Sequence, residues 1–444
     1  MTFFRAGQIV AAAIMISQMS TSSPAAPAPG VERFYIGTYT GSGSAGIYHA
    51  SLNLGTGAFG PTNLGAAIGN PSFVALTPSR KFLYAVDENG SLVNAFSVNP
   101  TNGSLTFLNS QPSNGGSPAH VVVDNSGRQV IVANYGGGSI TMFPIQASGS
   151  LGTASAHFQH PAGALAHETV IDSSNHFAFV CDKGLSQVRC YLFDANAGTL
   201  VTNTALITQM TAGCGTRHMA FDPQNKRAYV ICELNNTIVG FNFNPTNGVL
   251  TPFSTNSTLP AGFGGANTTA EIAVHPSGKF VYGSNRGHNS IVVFTANPAD
   301  GKLTLAQHQA TGTTPRSFAI DPTGAFCIVA NQDSNNILLY SINPQTGLLT
   351  PNGQSLAVSK PVCVLPYLIQ PPQPVLVPQS AANAVQVNVS NSLDLLTYQI
   401  YQSPALSNAM NWSLLTTGSR GQTNFSLNNT LAQSFFRAGV LTNY

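Results

Sequence analysis

One sequence unit occurs six times between Pro71 and Asn352, and this repeat limits the possible folds more than any other feature. Each copy contains a short apolar strand, a turn of the DP-x-G type, a second apolar strand, a polar hinge, a third strand and the motif N-P-x-T-G-x-L-T. The segment RSFAIDPTGAFCIVANQDSNNILLYSINPQTGLLT (316–350) is a clear example. The copies begin about every 46–53 residues, near Pro71, Pro118, Ala166, Arg217, Ala270 and Arg316. Four short strands per unit at such a period are typical of the blades of a β-propeller.

A seventh blade is predicted from the two ends of the repeat region. Residues 34–61 match only the last three strands of a unit, whereas residues 361–366 match only its first strand. Joining the two segments closes the ring and removes the exposed sheet edges. We therefore expect an all-β fold in which residues 31–366 form a seven-bladed β-propeller.

The residues after the propeller follow a different pattern. Residues 367–383 are rich in proline, which predicts an extended linker. Residues 384–444 contain short segments in which apolar and polar residues alternate, which predicts a small β-sandwich-like domain. Such a domain could attach the propeller to a partner that the sequence does not identify.

Residues 1–30 are predicted to be a signal peptide or leader. Arg5 precedes a short apolar segment, Ile9–Ile16, and small residues follow up to Pro29. We therefore expect a secreted or periplasmic protein. No other apolar run approaches the ~18 residues of a membrane-spanning helix, so a transmembrane protein is not expected. Charged residues make up 7% of the chain and the net charge is +2, so nothing indicates a nucleic acid as partner.

The six cysteines form an even set, which is compatible with disulfides in an exported protein. Cys181 and Cys190 lie on consecutive predicted strands of one unit, where they could face each other. Separate buried thiols are the favoured alternative, because free cysteines are commonly buried as small apolar residues.

Charged residues concentrate at two positions of each unit: the start of the first strand and the hinge between the second and third strands. In an antiparallel blade these two positions are neighbours, so both open on one mouth of the central channel. Each position spans two residues, so the seven units contain 28 such residues. These 28 residues include ten of the 32 charged residues of the chain, which indicates a site rather than scattered surface charge. The candidate residues are His120, His167, Arg217, His218, Glu271 and Arg316 at the first position, and Glu88, Lys183, Glu233 and Arg286 at the second.

This set of residue types suits a small ligand with an anionic or carbonyl group. Arginines bind carboxylates and phosphates, and a neighbouring Glu or His can act as general base or acid. A ring of mutually paired ions that plugs the channel is the structural alternative. A zinc site built from His120, His167 and His218 is another, but the nearby arginines would oppose a cation. We therefore expect neither a metal nor a cofactor.

The motifs around these positions resemble those of the seven-bladed lactonase family, which includes propeller-type 6-phosphogluconolactonases and carboxy-cis,cis-muconate cyclases. The resemblance covers about residues 34–366. The motifs that carry it include YIGTYT (35–40), PAHVVVDNSGRQVIVANYGGGS (118–139), GCGTRHMAFDP (213–223) and AEIAVHPSGKFVYGSNRGH (270–288). The family implies a pocket at this mouth, and the residues proposed for its chemistry correspond to His167, Arg217, Glu233 and Arg286.

The resemblance implies a hydrolase that opens a small sugar-acid lactone, with or without a phosphate group. Arg217 and Arg286 would stabilise the oxyanion, and Glu233 or His167 would move protons. The chain departs from the family at Leu165-Ala166-His167, where relatives often have a paired H-x-H. Two alternatives stay open: a muconate-type cyclase that closes a lactone ring in a dicarboxylate, and a non-catalytic binding propeller. The substrate-binding residues are then predicted to be His120, His218, Glu271, Arg316, Lys183 and Glu88.

Overall fold

The computed structural model describes residues 30–368 except Ser42, without the side chains of residues 203–205, and the backbone of six strands beyond residue 368. The predicted signal peptide therefore lies outside the described residues. In the part of the chain that is described, no helix has the length and apolar character to span a membrane.

The strands follow one another along the chain in groups that match the repeat. Four strands precede the complete blades: β1 (Val31–Thr38), β2 (Gly46–Asn53), β3 (Ala58–Phe59) and β4 (Asn63–Ala67). Blade 1 contains β5 (Val74–Leu76), β6 (Phe82–Asp87), β7 (Leu92–Val98) and β8 (Leu105–Pro112). Blade 2 contains β9 (Pro118–Val123), β10 (Gln129–Asn134), β11 (Ser139–Pro144) and β12 (Ala156–Gln159). Blade 3 contains β13 (Ala166–Ile171), β14 (Phe177–Asp182), β15 (Gln187–Asp194) and β16 (Thr199–Gln209).

The remaining blades repeat this arrangement. Blade 4 contains β17 (Thr216–Phe221), β18 (Arg227–Cys232), β19 (Thr237–Phe243) and β20 (Leu250–Ser257). Blade 5 contains β21 (Thr268–Val274), β22 (Phe280–Arg286), β23 (Ser290–Ala296) and β24 (Leu303–Ala310). Blade 6 contains β25 (Pro315–Ile320), β26 (Phe326–Asn331), β27 (Asn336–Ile342) and β28 (Leu349–Ala357), and β29 (Pro361–Leu368) follows it.

The seventh blade is built from both ends of the propeller, as predicted. Its sheet has the order β29-β1-β2-β3, with β4 also paired to β2. The antiparallel pairing of β1 with β29 places Tyr35 opposite Leu365. The all-β fold with seven blades is therefore confirmed, and Val31–Leu368 form one compact unit.

The apolar core lies between neighbouring blades. Tyr282 and Val293 of blade 5, for example, share a buried cluster with Phe318 and Val329 of blade 6. The second strand of a blade is covered on both faces, and all six residues of β10 are buried. An outer strand such as β8 alternates between partly buried and exposed residues, because one of its faces meets solvent. This difference explains why inner strands are continuously apolar in the sequence and outer strands are not.

The aspartate that recurs in the turn after the first strand of blades 2, 3, 4 and 6 has a structural role. The carboxylate of Asp124 accepts hydrogen bonds from the backbone N–H groups of Ser126 at 2.7 Å, Arg128 at 2.6 Å and Gln129 at 2.6 Å. Asp172, Asp222 and Asp321 accept the equivalent backbone hydrogen bonds in blades 3, 4 and 6. These aspartates therefore satisfy the turn backbone, as short polar side chains commonly do.

A second recurring contact joins one blade to the next. Four tyrosines on second strands donate their hydroxyl hydrogens to glycine carbonyls of the following blade, each at 2.8 Å: Tyr35 to Gly103, Tyr84 to Gly149, Tyr229 to Gly301 and Tyr282 to Gly347. All four glycines have positive φ angles, which favour glycine. Three of the glycines, Gly103, Gly301 and Gly347, end the N-P-x-x-G part of the repeat, which therefore supplies both the turn and an acceptor for the neighbouring blade.

Beyond the propeller the described backbone forms two three-stranded antiparallel sheets. Their strands are β30 (Val375–Ser380), β31 (Val385–Ser390), β32 (Tyr398–Ser403), β33 (Ser413–Thr417), β34 (Asn424–Leu427) and β35 (Phe435–Val440). The two sheets have the orders β30-β31-β34 and β33-β32-β35. β30 lies within the residues predicted to be a linker. The sandwich packing and the predicted boundaries of linker and domain stay predictions.

All six cysteines are free and buried. Cys181 pairs in register with Val188, and Cys190 pairs with Phe179, so the two thiols do not oppose each other. Separate buried thiols at these two positions, the favoured alternative, are therefore what the structure has.

Candidate active site

An irregularity in the innermost strand of blades 2 to 7 provides the side chains of the site. In blade 3, β13 pairs Ala166 with Asp182 and Glu168 with Cys181, which leaves His167 without a partner residue. The equivalent unpaired residues are Ala119, Arg217, Arg316 and Val362, and in blade 5 both Ala270 and Glu271. A β-bulge of this kind redirects a side chain out of the regular alternation.

The bulge residues meet in one small cavity. It is lined by Ser72, Phe73, Ala119, His167, Arg217, His218, Glu271, Arg316 and Val362. Every blade contributes at least one of these residues, so the cavity lies where the innermost strands converge. The sequence-predicted first position is therefore the wall of this cavity.

Glu233 is the centre of a cluster of three cations. Its carboxylate lies 2.7 Å from Lys183 Nζ, 3.2 Å from Arg217 Nε and 3.2 Å from an Nη of Arg286. Burial alone would raise the pKa of Glu233, but the three cations outweigh it and lower that pKa to about 2. Glu233 is therefore ionised at neutral pH and is a weak base.

The arginines of this cluster are also held by backbone carbonyls. Arg217 donates to the Ala270 carbonyl at 2.7 Å, and Arg286 donates to the Thr269 carbonyl at 2.9 Å. Burial, with Arg286 and Arg316 nearby, lowers the pKa of Arg217 to about 9, so its guanidinium stays charged at neutral pH. Two cations are thus fixed in position, the buried Arg217 in the lining of the cavity and the partly buried Arg286 on the other side of Glu233.

Two unprotonated imidazoles lie beside these cations. The ring centroids of His167 and His218 are 5.0 Å apart. Burial is the main cause that lowers the pKa of both, and the charge of Arg217 lowers both further. Nδ1 of His167 and Nε2 of His218 have no hydrogen-bond partner among the described residues. Both rings therefore offer a free nitrogen at neutral pH.

Glu271 orients one of the two rings. Its Oε1 lies 2.7 Å from Nδ1 of His218, so Nδ1 carries the proton and Nε2 keeps its lone pair. Burial would raise the pKa of Glu271, but His218 outweighs it and the pKa is lowered. A carboxylate paired with an imidazole in this way is the arrangement that general-base catalysis uses.

A more deeply buried layer supports the cavity from one side. His120 packs against Phe73 with ring centroids 4.0 Å apart, and its Nε2 lies 3.7 Å from Oε1 of Glu168. Oε2 of Glu168 accepts the backbone N–H of Met219 at 2.6 Å. Burial and the nearby Glu271 raise the pKa of Glu168 well above its usual range, which favours its protonated form. His120 is therefore packed beneath the cavity wall rather than in it.

Arg316 completes the wall on the side of blade 7. It donates to the hydroxyl of Tyr39 at 2.9 Å, and its guanidinium lies 5.2 Å from the centre of that ring. Burial is the main cause that raises the pKa of Tyr39, and the negative charge of Glu88 raises it further. One carboxylate oxygen of Glu88 is buried without a hydrogen-bond partner among the described residues.

Among the described residues, one set of three side chains has the spacing of metal ligands. Donor atoms of Glu168, His218 and Glu271 all lie within 4.8 Å of one another. Nδ1 of His218 is already engaged by Glu271, and the charge of Arg217 acts on all three groups. A hydrogen-bonded acid and base pair therefore accounts for this set better than a cation site does.

The structure brings nine of the ten predicted residues into two adjoining clusters, with Glu88 reached through Tyr39. The sequence reasoning assigned no role to Tyr39, Tyr135, Phe73 or Glu168, although all four occupy the two polar positions. Lys183 lies 3.3 Å from the hydroxyl of Tyr135 and 5.5 Å from its ring centre. For Tyr39, Tyr135 and Phe73, an aromatic residue at a position that is charged in other units could have indicated a role in the site.

Comparison with known proteins identifies the class to which this fold and site belong. The family described as Lactonase, 7-bladed beta-propeller matches residues 33–366, which is more than half of the chain. The chain therefore belongs to this family of seven-bladed propeller lactonases.

Individual relatives agree in sequence and in structure. The 6-phosphogluconolactonase of Bacillus subtilis (strain 168) is 35% identical over 292 residues, which is 64% of this chain and 83% of the relative. The structure of the periplasmic gluconolactonase of Pseudomonas aeruginosa matches with a TM-score of 0.73. It is 27% identical in sequence, and the match covers 76% of this chain and 99% of that one. A protein from Lactobacillus plantarum has a TM-score of 0.71 at 33% identity, again over 76% and 99% of the two chains.

Proposed function

We propose that this protein is a lactone hydrolase that opens the ring of a small aldonolactone. The observation that carries the proposal is the cavity in which fixed arginines and two unprotonated histidines lie side by side. Ring opening needs both kinds of group, because negative charge develops on the carbonyl oxygen while a proton leaves the attacking water. Membership of the lactonase family supports the same reaction.

Arg217 and Arg286 are assigned to the charge that develops on the substrate. Water attack on the lactone carbonyl turns its oxygen into an oxyanion, and opening of the ring leaves a carboxylate. Both are anions that guanidinium groups stabilise, most strongly where water is excluded. The ion pairs with Glu233 hold the two arginines in place before substrate arrives.

His218 is assigned to the water molecule. Its Nε2 would take a proton from water as the oxygen attacks the carbonyl carbon. The imidazolium that forms would be stabilised by Glu271 and would return the proton to the ring oxygen as the carbon–oxygen bond breaks. His167, which the family pattern marks for this chemistry, lies beside it and would position the water. Glu233 does not suit the base role, because its pKa is about 2.

The proposal includes export. The N-terminal residues have the pattern of a signal peptide, and one similar structure is described as periplasmic. Export would bring the enzyme to lactones outside the cytoplasm. The relatives carry the names of both a phosphorylated and an unphosphorylated lactone, so both kinds belong in the test.

The experiment measures acid release from a panel of aldonolactones, with and without phosphate, by the purified protein. We expect at least one lactone to open faster than in buffer, and Arg286→Ala to remove most of that rate. If every lactone opens only at the buffer rate, the hydrolase proposal is wrong. Product analysis with a dicarboxylate substrate separates hydrolysis from ring closure.

A further inference from the structure

We propose that Cys214 and Cys232 form a disulfide bond next to the candidate active site when the chain meets an oxidising environment. Their sulfur atoms lie 3.3 Å apart, and both side chains are buried. Cys214 precedes β17, and Cys232 is the last residue of β18. Because Thr216 pairs with Cys232, the two thiols lie at the same end of the β17–β18 pair, and the sulfurs would have to approach by about 1.2 Å to reach the bonding distance of about 2.05 Å.

The other cysteines do not have this geometry. Cys181 and Cys190 are not opposite each other in the sheet, and the nearest polar contact of each is a different group: Glu168 for Cys181 and the Tyr191 carbonyl for Cys190. Cys327 and Cys363 lie on strands of different blades. Among the described cysteines, the pair in blade 4 is the one with a thiol–thiol contact.

The surroundings of Cys214 favour it as the attacking thiol. The hydrogen bond from Cys232, with a smaller contribution from Ser186, lowers the pKa of the Cys214 thiol despite its burial. The preceding residues 211–213 are exposed, so a small opening of this turn admits a reactant. Cys214 is thus near the surface of the chain but shielded in the closed state.

The bond between Cys214 and Cys232 would form by thiol–disulfide exchange with a disulfide of another molecule. The Cys214 thiolate attacks one sulfur of that disulfide, its S–S bond breaks, and the released thiolate takes a proton. The Cys232 thiolate then attacks the mixed disulfide and releases the second thiol. The two cysteines lose two protons and two electrons, and the external disulfide becomes two thiols.

The bond would fasten the part of blade 4 that carries the candidate site. The segment between the two cysteines contains Arg217 and His218, and Glu233 follows directly after Cys232. The backbone N–H of Glu233 already donates to the Gly215 carbonyl at 2.7 Å, and that of Leu234 donates to the Cys214 carbonyl at 3.0 Å. A disulfide would add a covalent link to this junction without requiring it to move.

The experiment reduces the full-length protein, incubates it with oxidised glutathione, denatures it and alkylates the remaining thiols. Trypsin separates the two cysteines, because Arg217 and Arg227 lie between them. We expect peptide 190–217 to be joined to peptide 228–279. Since peptide 190–217 also contains Cys190, the variant Cys190→Ala must keep the cross-link and Cys214→Ala must lose it. A fully alkylated wild type, or a cross-link that persists in Cys214→Ala, overturns the proposal.

A second readout is the unfolding temperature of the wild type itself. Oxidation should raise the unfolding temperature of the wild type, on the order of 5 °C, because the link restricts the unfolded chain. The same treatment should raise it equally in Cys181→Ala, the matched control. An unfolding temperature that glutathione leaves unchanged in the wild type would contradict the link even if some thiols become protected.

Discussion

At the scale of single residues, the site depends on charges that are placed before any ligand arrives. One carboxylate, Glu233, faces three cations, and another, Glu271, faces an imidazole. The first arrangement makes a base too weak for catalysis, and the second orients a base that is free at neutral pH. The two carboxylates therefore have different roles although both are glutamates at polar positions of the repeat.

Replacing Glu233 with Gln should destabilise the protein by about 3 kcal/mol, because the buried Arg217 and the partly buried Lys183 and Arg286 lose their partner. The stabilisation by Glu233 is present above the pKa of an unfolded glutamate and is lost as pH falls toward about 2, since the folded-state pKa is lowered. Denaturant unfolding at pH 7 measures the difference. Asp333→Asn, which removes the partly exposed ion pair with Lys360 at 2.9 Å, is the control and should cost less than about 1 kcal/mol.

The rate of lactone opening should stay constant down to pH values below the usual histidine pKa of about 6.5. The base must be unprotonated, and the pKa values of His167 and His218 are both lowered by burial and by Arg217. Activity is therefore lost only as pH falls through those lowered values. A kcat/KM profile from pH 5 to pH 8 makes the measurement, and a midpoint at or above 6.5 would exclude these histidines as the base.

Glu271→Gln should reduce kcat about 10²-fold with little change in KM, because it removes the anion that stabilises the imidazolium of His218. The acid limb of the profile should also move to lower pH, since Glu271 raises the pKa of His218. An unchanged kcat would remove His218 from the mechanism.

His120→Asn tests the layer beneath the cavity and should affect stability more than the shape of the pH profile.

At the scale of the strand, one irregularity recurs and sets which residues reach the channel. The bulge in the innermost strand leaves His167, Arg217 and Arg316 unpaired in the same way in blades 3, 4 and 6. Without it, the alternation of the strand would direct these side chains along the sheet faces. The motif N-P-x-x-G and its tyrosine contact have a different role, since they join neighbouring blades.

Tyr282→Phe should destabilise the propeller by about 1–2 kcal/mol, because the Gly347 carbonyl loses its buried donor at 2.8 Å. Thermal or denaturant unfolding measures the change. Tyr48→Phe is the matched control: its hydroxyl accepts an exposed backbone N–H from Ala45 at 3.1 Å, so the loss should be close to zero. Equal effects of the two substitutions would show that the contact between blades contributes nothing specific.

At the scale of the whole molecule, the ring closes through a strand from the far end of the propeller. β29 supplies the innermost strand of the seventh blade, and Val362 on it lines the cavity. The closure therefore stabilises the ring and completes the wall of the site at once.

Two truncations test this closure. A chain that ends after Leu368 should keep the folded propeller and the lactone-opening rate, because it keeps β29. A chain that ends after Ser359 loses β29 and exposes the edge of β1, so it should unfold at lower temperature or aggregate. Thermal unfolding and light scattering compare the two, and equal behaviour would mean that the strand is dispensable.

Local patterns in the sequence were sufficient for the architecture. The period of the repeat predicts seven blades, and the partial copies at 34–61 and 361–366 predict how the ring closes. The two polar positions predict the mouth at which the site lies. These conclusions follow from neighbouring residues, because strand alternation and turn chemistry act over a few positions.

The contacts that give the site its chemistry were decided by the tertiary structure. His218 and Glu271 are 53 positions apart and belong to different blades, and Lys183 reaches Glu233 across 50 positions. The contact of the Cys214 thiol with the Cys232 thiol, rather than of Cys181 with Cys190, depends on strand register. The sequence by itself determined the blades and the mouth, whereas ring closure and the bulges decided which side chains touch, because a shift of one residue in register changes the direction of a side chain.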